Sequence, residues 1–281
     1  MPVESVQHHH AHIVAGMLEH NWLDRQVLGV AFDGTGWGDD QTIWGGEFLL
    51  TTTTSYERVA HLRPFALPGG EGAVKKPWRV AFSLVTQAMG EAEAFRQPWP
   101  ESRLKPIMQL LNSRSLSPMT SSAGRLFDGV AALVLGVEQS DFEGQAAMLL
   151  EAICDHSESG SYEFSLHEGT PLQLDWRPLI RQIIHDRNSG ISPGMMAMKF
   201  HRGLAQVIAR LCRQYVPLPV VLGGGVFQNR CLVELLREEI EQNCQECGLP
   251  GVIPPNDGGL AAGQLGVASA RAIQRGTNSC V

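Results

Sequence analysis

The chain has 281 residues, 43% of them hydrophobic and 18% charged, an ordinary globular composition with enough apolar material for a large core. Its formal charge of −7, from 29 acidic against 22 basic residues, argues against broad salt-driven binding to nucleic acid, and no apolar run approaches the roughly 20 residues that span a bilayer. Neither nucleic acid nor membrane is therefore an expected partner; without a secretory leader pattern, and with six scattered cysteines that suggest no disulfide framework, a cytoplasmic protein is expected.

Apolar spacing predicts a helix over 8–21, with Ile13, Met17 and Leu18 on its stripe. Four histidines open it, His8-His9-His10-Ala11-His12. His8 and His12 stand at i, i+4 and share one face, and two imidazoles on one face can hold a divalent transition metal. A metalloprotease helix would need Glu where His9 stands, so that motif is excluded; His9 and His10 are expected to pack or to orient neighbours. Residues 27–32 form a nearly continuous apolar run, read as a buried strand, which ends in the glycine-rich turn Asp33-Gly34-Thr35-Gly36-Trp37-Gly38. Asp33 suits a third metal ligand or a phosphate site, although Asp-Gly is equally a hairpin signal. Residues 43–53 and 56–62 read as further strands of a meander.

Residues 64–72 form a loop rich in Pro and Gly, after which Lys75, Lys76 and Arg79 surround a helix start. Cations there are unfavourable unless an anion is near, so Lys75 and Arg79 are possible anion contacts. Helices are predicted at about 74–89, 102–113, 122–136 and 143–155. Arg125 and Asp128 lie three apart on one of them: a surface ion pair, or an Asp128 free to accept from ribose hydroxyls. A strand pair follows at 162–166 and 172–174, then helices at 177–187 and 194–215, the second carrying His201 as a packed histidine. A strand at 219–222 runs into Gly223-Gly224-Gly225, the context of a nucleotide site, and a helix begins near Asn229, which either caps that helix or reads a purine edge. Asn256-Asp257-Gly258-Gly259 opens the last helix, and Asp257 either caps it or joins the His pair. Cys244 and Cys247 form a lone CxxC, read as incidental.

Strands that end in glycine-rich segments before helices indicate an α/β architecture with ligands at those loops, where backbone N–H groups can approach phosphate. There is no GxGxxG fingerprint and no Walker lysine, nor any Ser-His-Asp arrangement recognisable by spacing. Spacing alone thus predicts a metal and nucleotide cleft without naming a reaction.

A further reading comes from the motifs taken in order. Gln7-His8-His9-His10-Ala11-His12, Ala31-Phe32-Asp33-Gly34-Thr35-Gly36, Trp44-Gly45-Gly46-Glu47, Ala66-Leu67-Pro68-Gly69-Gly70, Pro77-Trp78-Arg79, Ser122-Ala123-Gly124-Arg125-Leu126-Phe127-Asp128, Phe142-Glu143-Gly144-Gln145-Ala146-Ala147, Gly224-Gly225-Val226-Phe227-Gln228-Asn229-Arg230 and Asn256-Asp257-Gly258-Gly259-Leu260 resemble the C-terminal part of the HypF carbamoyltransferases of nickel–iron hydrogenase maturation. The resemblance implies a domain similar to TsaD, the tRNA threonylcarbamoyl transferase subunit, with the two-lobed ATPase fold of actin and the sugar kinases. It implies metal-assisted transfer of a carbamoyl group from carbamoyl-adenylate, itself made from carbamoyl phosphate and ATP, to the C-terminal cysteine of HypE, the route to the cyanide ligands of the hydrogenase iron. It places a divalent metal, iron or zinc, on His8, His12, Asp33 and Asp257. Phosphate falls to Gly34, Thr35 and Gly36, ribose to Asp128 and Gly144, and adenine to Asn229, with Gly224 and Gly225 also in the nucleotide set.

On that reading residues 1–281 are one transfer domain. Residues 1–62 with the C-terminal helix would be the remnant of an incomplete first lobe, and about 63–264 the second lobe. The adenylate-forming domain of full-length HypF is expected to be absent, so that the chain alone would not make carbamoyl-adenylate, and the nucleophile is expected from a HypE-like partner. The alternatives are a non-catalytic fragment that binds nucleotide or HypE, and a small-molecule O-carbamoyltransferase.

Overall fold

The computed structural model describes residues 3–243 and 245–278; Cys244 of the CxxC pair lies outside them. In chain order the elements are α1 (His8–Glu19), β1 (Val27–Trp37), β2 (Ile43–Thr51), β3 (Tyr56–Leu62), β4 (Phe65–Ala66), α2 (Glu71–Val74), α3 (Pro77–Met89), α4 (Glu91–Ala94), α5 (Glu101–Leu111), β5 (Met119–Thr120), α6 (Ala123–Leu135), α7 (Gln145–Ala152), β6 (Ser165–His167), β7 (Leu172–Asp175), α8 (Arg177–Asn188), α9 (Pro193–Cys212), β8 (Val220–Gly223), α10 (Arg230–Glu241), β9 (Cys247–Gly248) and α11 (Leu260–Asn278).

One mixed sheet runs through the chain in the order β6-β7-β3-β2-β1-β8-β9, with β5 and β4 branching from β2. The strands β1, β2 and β3 form the expected antiparallel meander, whereas β8 joins β1 in parallel, with Ala31 opposite Gly223, and β7 joins β3 in parallel. The boundary expected near residue 62 therefore does not divide the sheet. Strands from before it are hydrogen-bonded to strands from after it on both flanks, so residues 27–62 and 165–248 build one layer.

Side-chain alternation along β1 sets the layers. Leu28, Val30 and Phe32 enter the larger core with Leu84 of α3, Val130 of α6, Ile180 of α8, Leu204 of α9 and Leu236 of α10. Val27 and Ala31 enter a smaller core with Ile13, Val14 and Met17 of α1 and Val267 of α11. The α1–sheet approach is close enough that a Cβ on Gly29 would lie 2.5 Å from Ile13 Cγ1. Gly263 likewise lets α11 press onto the Ala11 carbonyl of α1. Glycine serves here by its small size, which brings α1, and with it the histidine pair, hard against β1.

Two local elements differ from expectation. The strand expected at 162–166 forms at Ser165–His167, because Tyr162 and Phe164 are buried in the core and the Tyr162 N–H is taken by the Lys199 carbonyl at 3.0 Å. The Asp33–Gly36 segment is not a turn: β1 continues to Trp37, pairing Gly36 with Trp44 across a register shift between Phe32 and Gly36. An irregularity of this kind re-aims a side chain without ending the strand, and here it faces Asp33 toward α1. Among the described residues no helix is long and apolar enough to cross a membrane.

Candidate functional site

His8, His12, Asp33 and Asp257, separated by more than two hundred positions, meet at one point. His8 Nε2 lies 3.0 Å from Asp33 Oδ2 and 3.7 Å from Asp257 Oδ1. His12 Nε2 lies 3.1 Å from His8 Nε2, 3.1 Å from Asp33 Oδ2 and 3.4 Å from Asp257 Oδ1. Four ligands at about 2.0–2.2 Å from a tetrahedral ion stand about 3.3–3.6 Å apart, so the observed spacing has the dimensions of a four-ligand site.

The support around Asp33 points the same way. Its Oδ1 accepts from the backbone N–H groups of Gly34 at 2.7 Å and Gly225 at 3.3 Å, while Oδ2 faces the two imidazoles. A carboxylate with one oxygen held by the backbone and the other turned to a cluster of donors is the usual state of a metal-binding carboxylate. Burial alone would raise its pKa, but the hydrogen bonds from His12, His8 and Gly34 hold the group far below the usual carboxylate range. His8 is shifted the opposite way: burial disfavours its charge, yet the hydrogen bond to Asp33 and the charges of Asp33 and Asp257 raise it above the ordinary imidazole value. The site is built to hold positive charge, and its donor set of two imidazoles and two carboxylates fits a divalent ion such as iron or zinc.

The remaining histidines of the cluster are buried and lie outside the four-ligand group. His10 Nε2 is 2.9 Å from the Thr52 carbonyl. His9 Nδ1 lies 3.2 Å from Gln7 Nε2, and burial lowers this ring to about 3, so it is neutral at physiological pH.

A cleft of about 360 Å³ opens beside the four ligands, lined among others by Asp33, Gly34, Thr35, Asp128, Gly144, Gly225 and Asp257. It continues into a second cavity of about 330 Å³ that shares Glu143, Gly144, Ala147, Gly225, Val226 and Gln228 and adds Phe127, Met148, Glu151 and Asn229. The expected nucleotide residues are thus largely gathered in one place, with several changes of role. Gly36 is on neither wall; it sits under the His8 and His9 rings, where a Cβ would lie 2.9 Å from His8 Cδ2. Gly224 has φ +99° and a Cβ on it would overlap the Phe32 carbonyl oxygen, so its requirement for glycine is the β1–β8 approach rather than a phosphate. The N–H groups of Gly34 and Gly225, expected to face phosphate, are turned to Asp33. Asn229 caps α10, its Oδ1 accepting from Leu232 N–H at 2.8 Å, and one edge of it still reaches the second cavity.

Asp128 and Arg125 are not a surface pair. Both are buried, joined at 2.6 Å from Arg125 Nη1 to Asp128 Oδ2. Arg125 also reaches the Gly34 carbonyl through Nε at 3.2 Å and Glu143 Oε1 through Nη2 at 3.5 Å, and so holds β1, α6 and the start of α7 in register. Burial pushes the Asp128 carboxyl up to about 6, with Arg125 pulling the other way and Glu143 adding to the rise.

Lys75 and Arg79 do not reach the cleft. Lys75 is exposed, and the Arg79 guanidinium lies beside Gly69 and Gly72 of the 64–72 loop, with its Nε buried and without a hydrogen-bond partner among the described residues.

The spacing did not single out Ser122, the N-cap of α6. Its Oγ accepts from Arg125 N–H at 3.1 Å and lies 2.7 Å from the carbonyls of both Asp33 and Gly34. Glu47 is a second residue whose spacing marks no role. It is fully buried, paired with Arg58 Nε at 2.6 Å and hydrogen-bonded by Ser121 Oγ, and it fixes the segment that carries Ser122. Both residues stand within the motifs that carry the resemblance, but their spacing alone marks no site-building role.

A family model described as carbamoyltransferase, Kae1-like domain, second subdomain, matches residues 29–264. Carbamoyltransferase HypF of Synechocystis sp. is 39% identical over 94% of this chain and 37% of its own length. Carbamoyltransferase HypF of Rhizobium leguminosarum is 37% identical over 94% of the chain and 34% of its own length. A carbamoyltransferase HypF homolog of Cupriavidus necator is 34% identical over 96% of the chain and 71% of its own length. The crystal structure of full-length HypF in the phosphate- and nucleotide-bound form superposes with a TM-score of 0.89 at 37% identity, over 96% of this chain and 36% of that one. The chain spans little more than a third of the full-length relatives, and the likeness bears out the expected TsaD-like α/β fold. The matched stretch crosses residue 62 without a break, as the sheet does. On these grounds the chain belongs to the HypF carbamoyltransferase family and corresponds to the second subdomain of its Kae1-like domain.

Proposed function

We propose that this chain is the carbamoyl-transfer unit of a HypF-type carbamoyltransferase, passing the carbamoyl group of carbamoyl-adenylate to the C-terminal cysteine of a HypE-like acceptor in the synthesis of hydrogenase cyanide ligands. One observation carries the proposal: four ligand atoms of the spacing a divalent ion requires converge at the mouth of a cleft whose far wall holds Asp128, Gly144 and Asn229.

In this reading His8, His12, Asp33 and Asp257 hold the metal, which when bound supplies Lewis acidity and charge neutralisation next to the phosphate. The chain's own residues do the rest. Gly34, Thr35 and Gly225 border the phosphate position. Asp128, fixed by Arg125, accepts from ribose hydroxyls, and Phe127, Val226 and Asn229 border the adenine. The acceptor's thiolate attacks the carbamoyl carbon, a C–S bond forms, the C–O bond to phosphate breaks, and AMP leaves. The rate gain expected of such a site is that of orientation, which holds the mixed anhydride still for an incoming nucleophile.

The test is direct. Carbamoyl-adenylate, a HypE-like acceptor and iron or zinc are supplied to the folded chain, and the acceptor's C-terminal peptide is analysed by mass spectrometry. Carbamoylation of that cysteine, lost with His12→Gln, is the expected result. No adduct from a metal-loaded, folded chain refutes the proposal.

A further inference from the structure

A second cluster of reactive groups lies behind the cleft wall. Cys154 follows α7, Cys231 is in the first turn of α10, and His201 is in α9. Their sulfur and ring nitrogen atoms lie within 4.8 Å of one another, with Cys154 Sγ 3.4 Å from His201 Nδ1.

The hydrogen bonds decide what this cluster can be. Because Asn229 Oδ1 accepts from Leu232 N–H, its Nδ2 is the atom that meets His201 Nε2, at 2.9 Å, and donates to it. Nε2 therefore carries the lone pair and Nδ1 the proton, which goes to the Ala197 carbonyl at 2.8 Å. Burial lowers this imidazole to about 4, in keeping with a neutral ring. A histidine held in this way presents no lone pair to a metal. What remains is a pair of neighbouring thiols, their sulfur atoms within 4.8 Å of each other, one half-buried and one 6% exposed.

The pair joins two walls of the second cavity. Met148 and Glu151 of α7 stand on one side of it, and Val226, Gln228 and Asn229, which lead into α10, on the other. Glu151 Oε1 already spans the gap by accepting from Cys231 N–H at 3.1 Å. Bonded sulfurs stand about 2.0 Å apart, closer than two free thiols can approach, so a bond between them draws the end of α7 toward the start of α10.

We propose that Cys154 and Cys231 form a reversible disulfide that ties α7 to α10 and narrows the cavity between them. The bond itself is independent of the proposed function; the consequence for ligand binding rests on the nucleotide reading. The oxidant is a peroxide. Cys231 attacks one oxygen of hydrogen peroxide as the thiolate. The O–O bond breaks, leaving a sulfenic acid on Cys231 and a hydroxide that takes the thiol proton as water. The Cys154 sulfur then attacks the Cys231 sulfur. The S–S bond forms, the S–O bond breaks, and the departing hydroxide takes the Cys154 proton as a second water. Two thiols lose two electrons and one peroxide gains them. Reduction by a small dithiol reverses the exchange.

The experiment treats the whole chain with hydrogen peroxide and maps its peptides without reduction, with AMP titrated calorimetrically into the reduced and oxidised forms. The expected result is a peptide linking Cys154 to Cys231, lighter by two hydrogens and released by dithiothreitol. AMP binding falls by about tenfold on oxidation and recovers on reduction, and Cys154→Ser and Cys231→Ser abolish both the link and the loss. Separate sulfinic acids, a link to another of the six cysteines, or a zinc ion retained on both thiols in native mass spectrometry would overturn the disulfide. A link that leaves AMP affinity unchanged overturns the narrowing alone. A reduced chain that does not bind AMP sinks the nucleotide reading and leaves the disulfide standing on the peptide map.

Discussion

Replacing His12 removes one donor from the ligand set and little else on the surface, since the residue is 2% exposed. Its Nε2 stands 3.1 Å from Asp33 Oδ2 and 3.4 Å from Asp257 Oδ1. Four-ligand zinc sites bind at about 10–16 kcal/mol near neutral pH, so an even share is about 2.5–4 kcal/mol per ligand. That corresponds to about two to three orders of magnitude in affinity. His12→Ala also empties space in the core between α1 and β1, so His12→Gln is the companion that keeps the volume and offers a far weaker donor. Metal affinity is read by competition with a chromogenic zinc chelator, and folding by circular dichroism. One equivalent bound by the parent chain is expected, with both variants at least about a hundredfold weaker and their spectra unchanged. Lys75→Ala, exposed and outside the cleft, keeps parental affinity. A folded His12→Gln chain that binds zinc as tightly as the parent would refute the four-ligand assignment.

Ser122→Ala deletes the cap of α6 and the contacts to the carbonyls of Asp33 and Gly34. A loss of about 1–3 kcal/mol in urea unfolding is expected, together with weaker metal binding because Asp33 loses its support; unchanged metal affinity would show that Asp33 is held by other means. Gly224→Ala, at φ +99° against the Phe32 carbonyl, is expected to cost more than about 2 kcal/mol, and a neutral result in urea denaturation would mean that β1 and β8 separate easily. For Asp128 the folded-state value of about 6 lies above the ordinary carboxylate value of about 3.9. The folded chain then binds the extra proton, so its contribution to stability is complete below about pH 4 and is lost as pH rises through about 6. The full swing is at most about 3 kcal/mol. Asp128→Asn should flatten that part of the stability–pH curve, and equal slopes for the two chains would contradict the burial argument.

What the sequence showed best was chemistry on regular elements. The i, i+4 histidines need only a helix to be neighbours, and α1 is a helix with a buried stripe at Ile13 and Met17. The three strands of the meander follow from their own apolar runs. What stayed hidden depended on pairing between distant segments. Whether Asp33-Gly34-Thr35-Gly36 turns or continues is decided by Trp44 lying opposite Gly36, a partner that residues 33–36 do not name. The same holds for Gly34 and Gly225. Their N–H groups looked free for phosphate until β8 brought Gly225 to within 3.3 Å of Asp33 Oδ1. The lobe boundary near residue 62 is what the family resemblance implies, and the local sequence carries no information about β7 and β8 returning to the same sheet. Arg79 looked like an anion contact because the charge of a helix start is visible in sequence, while its position beside Gly69 and Gly72 is not.

The charges around the cleft make one further demand. Asp33, Asp128, Glu143 and Asp257 line it with a single guanidinium, that of Arg125, and Arg125 is already committed to Asp128, Glu143 and the Gly34 carbonyl. Gly124 and Arg125 at the start of α6, Gly144 at the N-cap of α7 and Gly258 just before α11 line this space, and helix starts favour an anion, but each supplies only about half a charge. A phosphate beside Asp33 and Asp257 meets two carboxylates, and like charges about 4 Å apart repel by about 4 kcal/mol at an effective dielectric of 20. A divalent ion between those carboxylates and the phosphate turns that repulsion into attraction. Metal and nucleotide should therefore bind with positive coupling, and by linkage each tightens the other by the same factor, of the order of 5–150-fold for typical coupled sites. Calorimetric titration of AMP into chelator-stripped and zinc-loaded chain measures one side of the cycle, and zinc titration with and without saturating AMP measures the other. Equal AMP affinities in the two forms would mean that the four-ligand cluster and the cleft do not share a ligand, and the proposed transfer site would lose its physical basis.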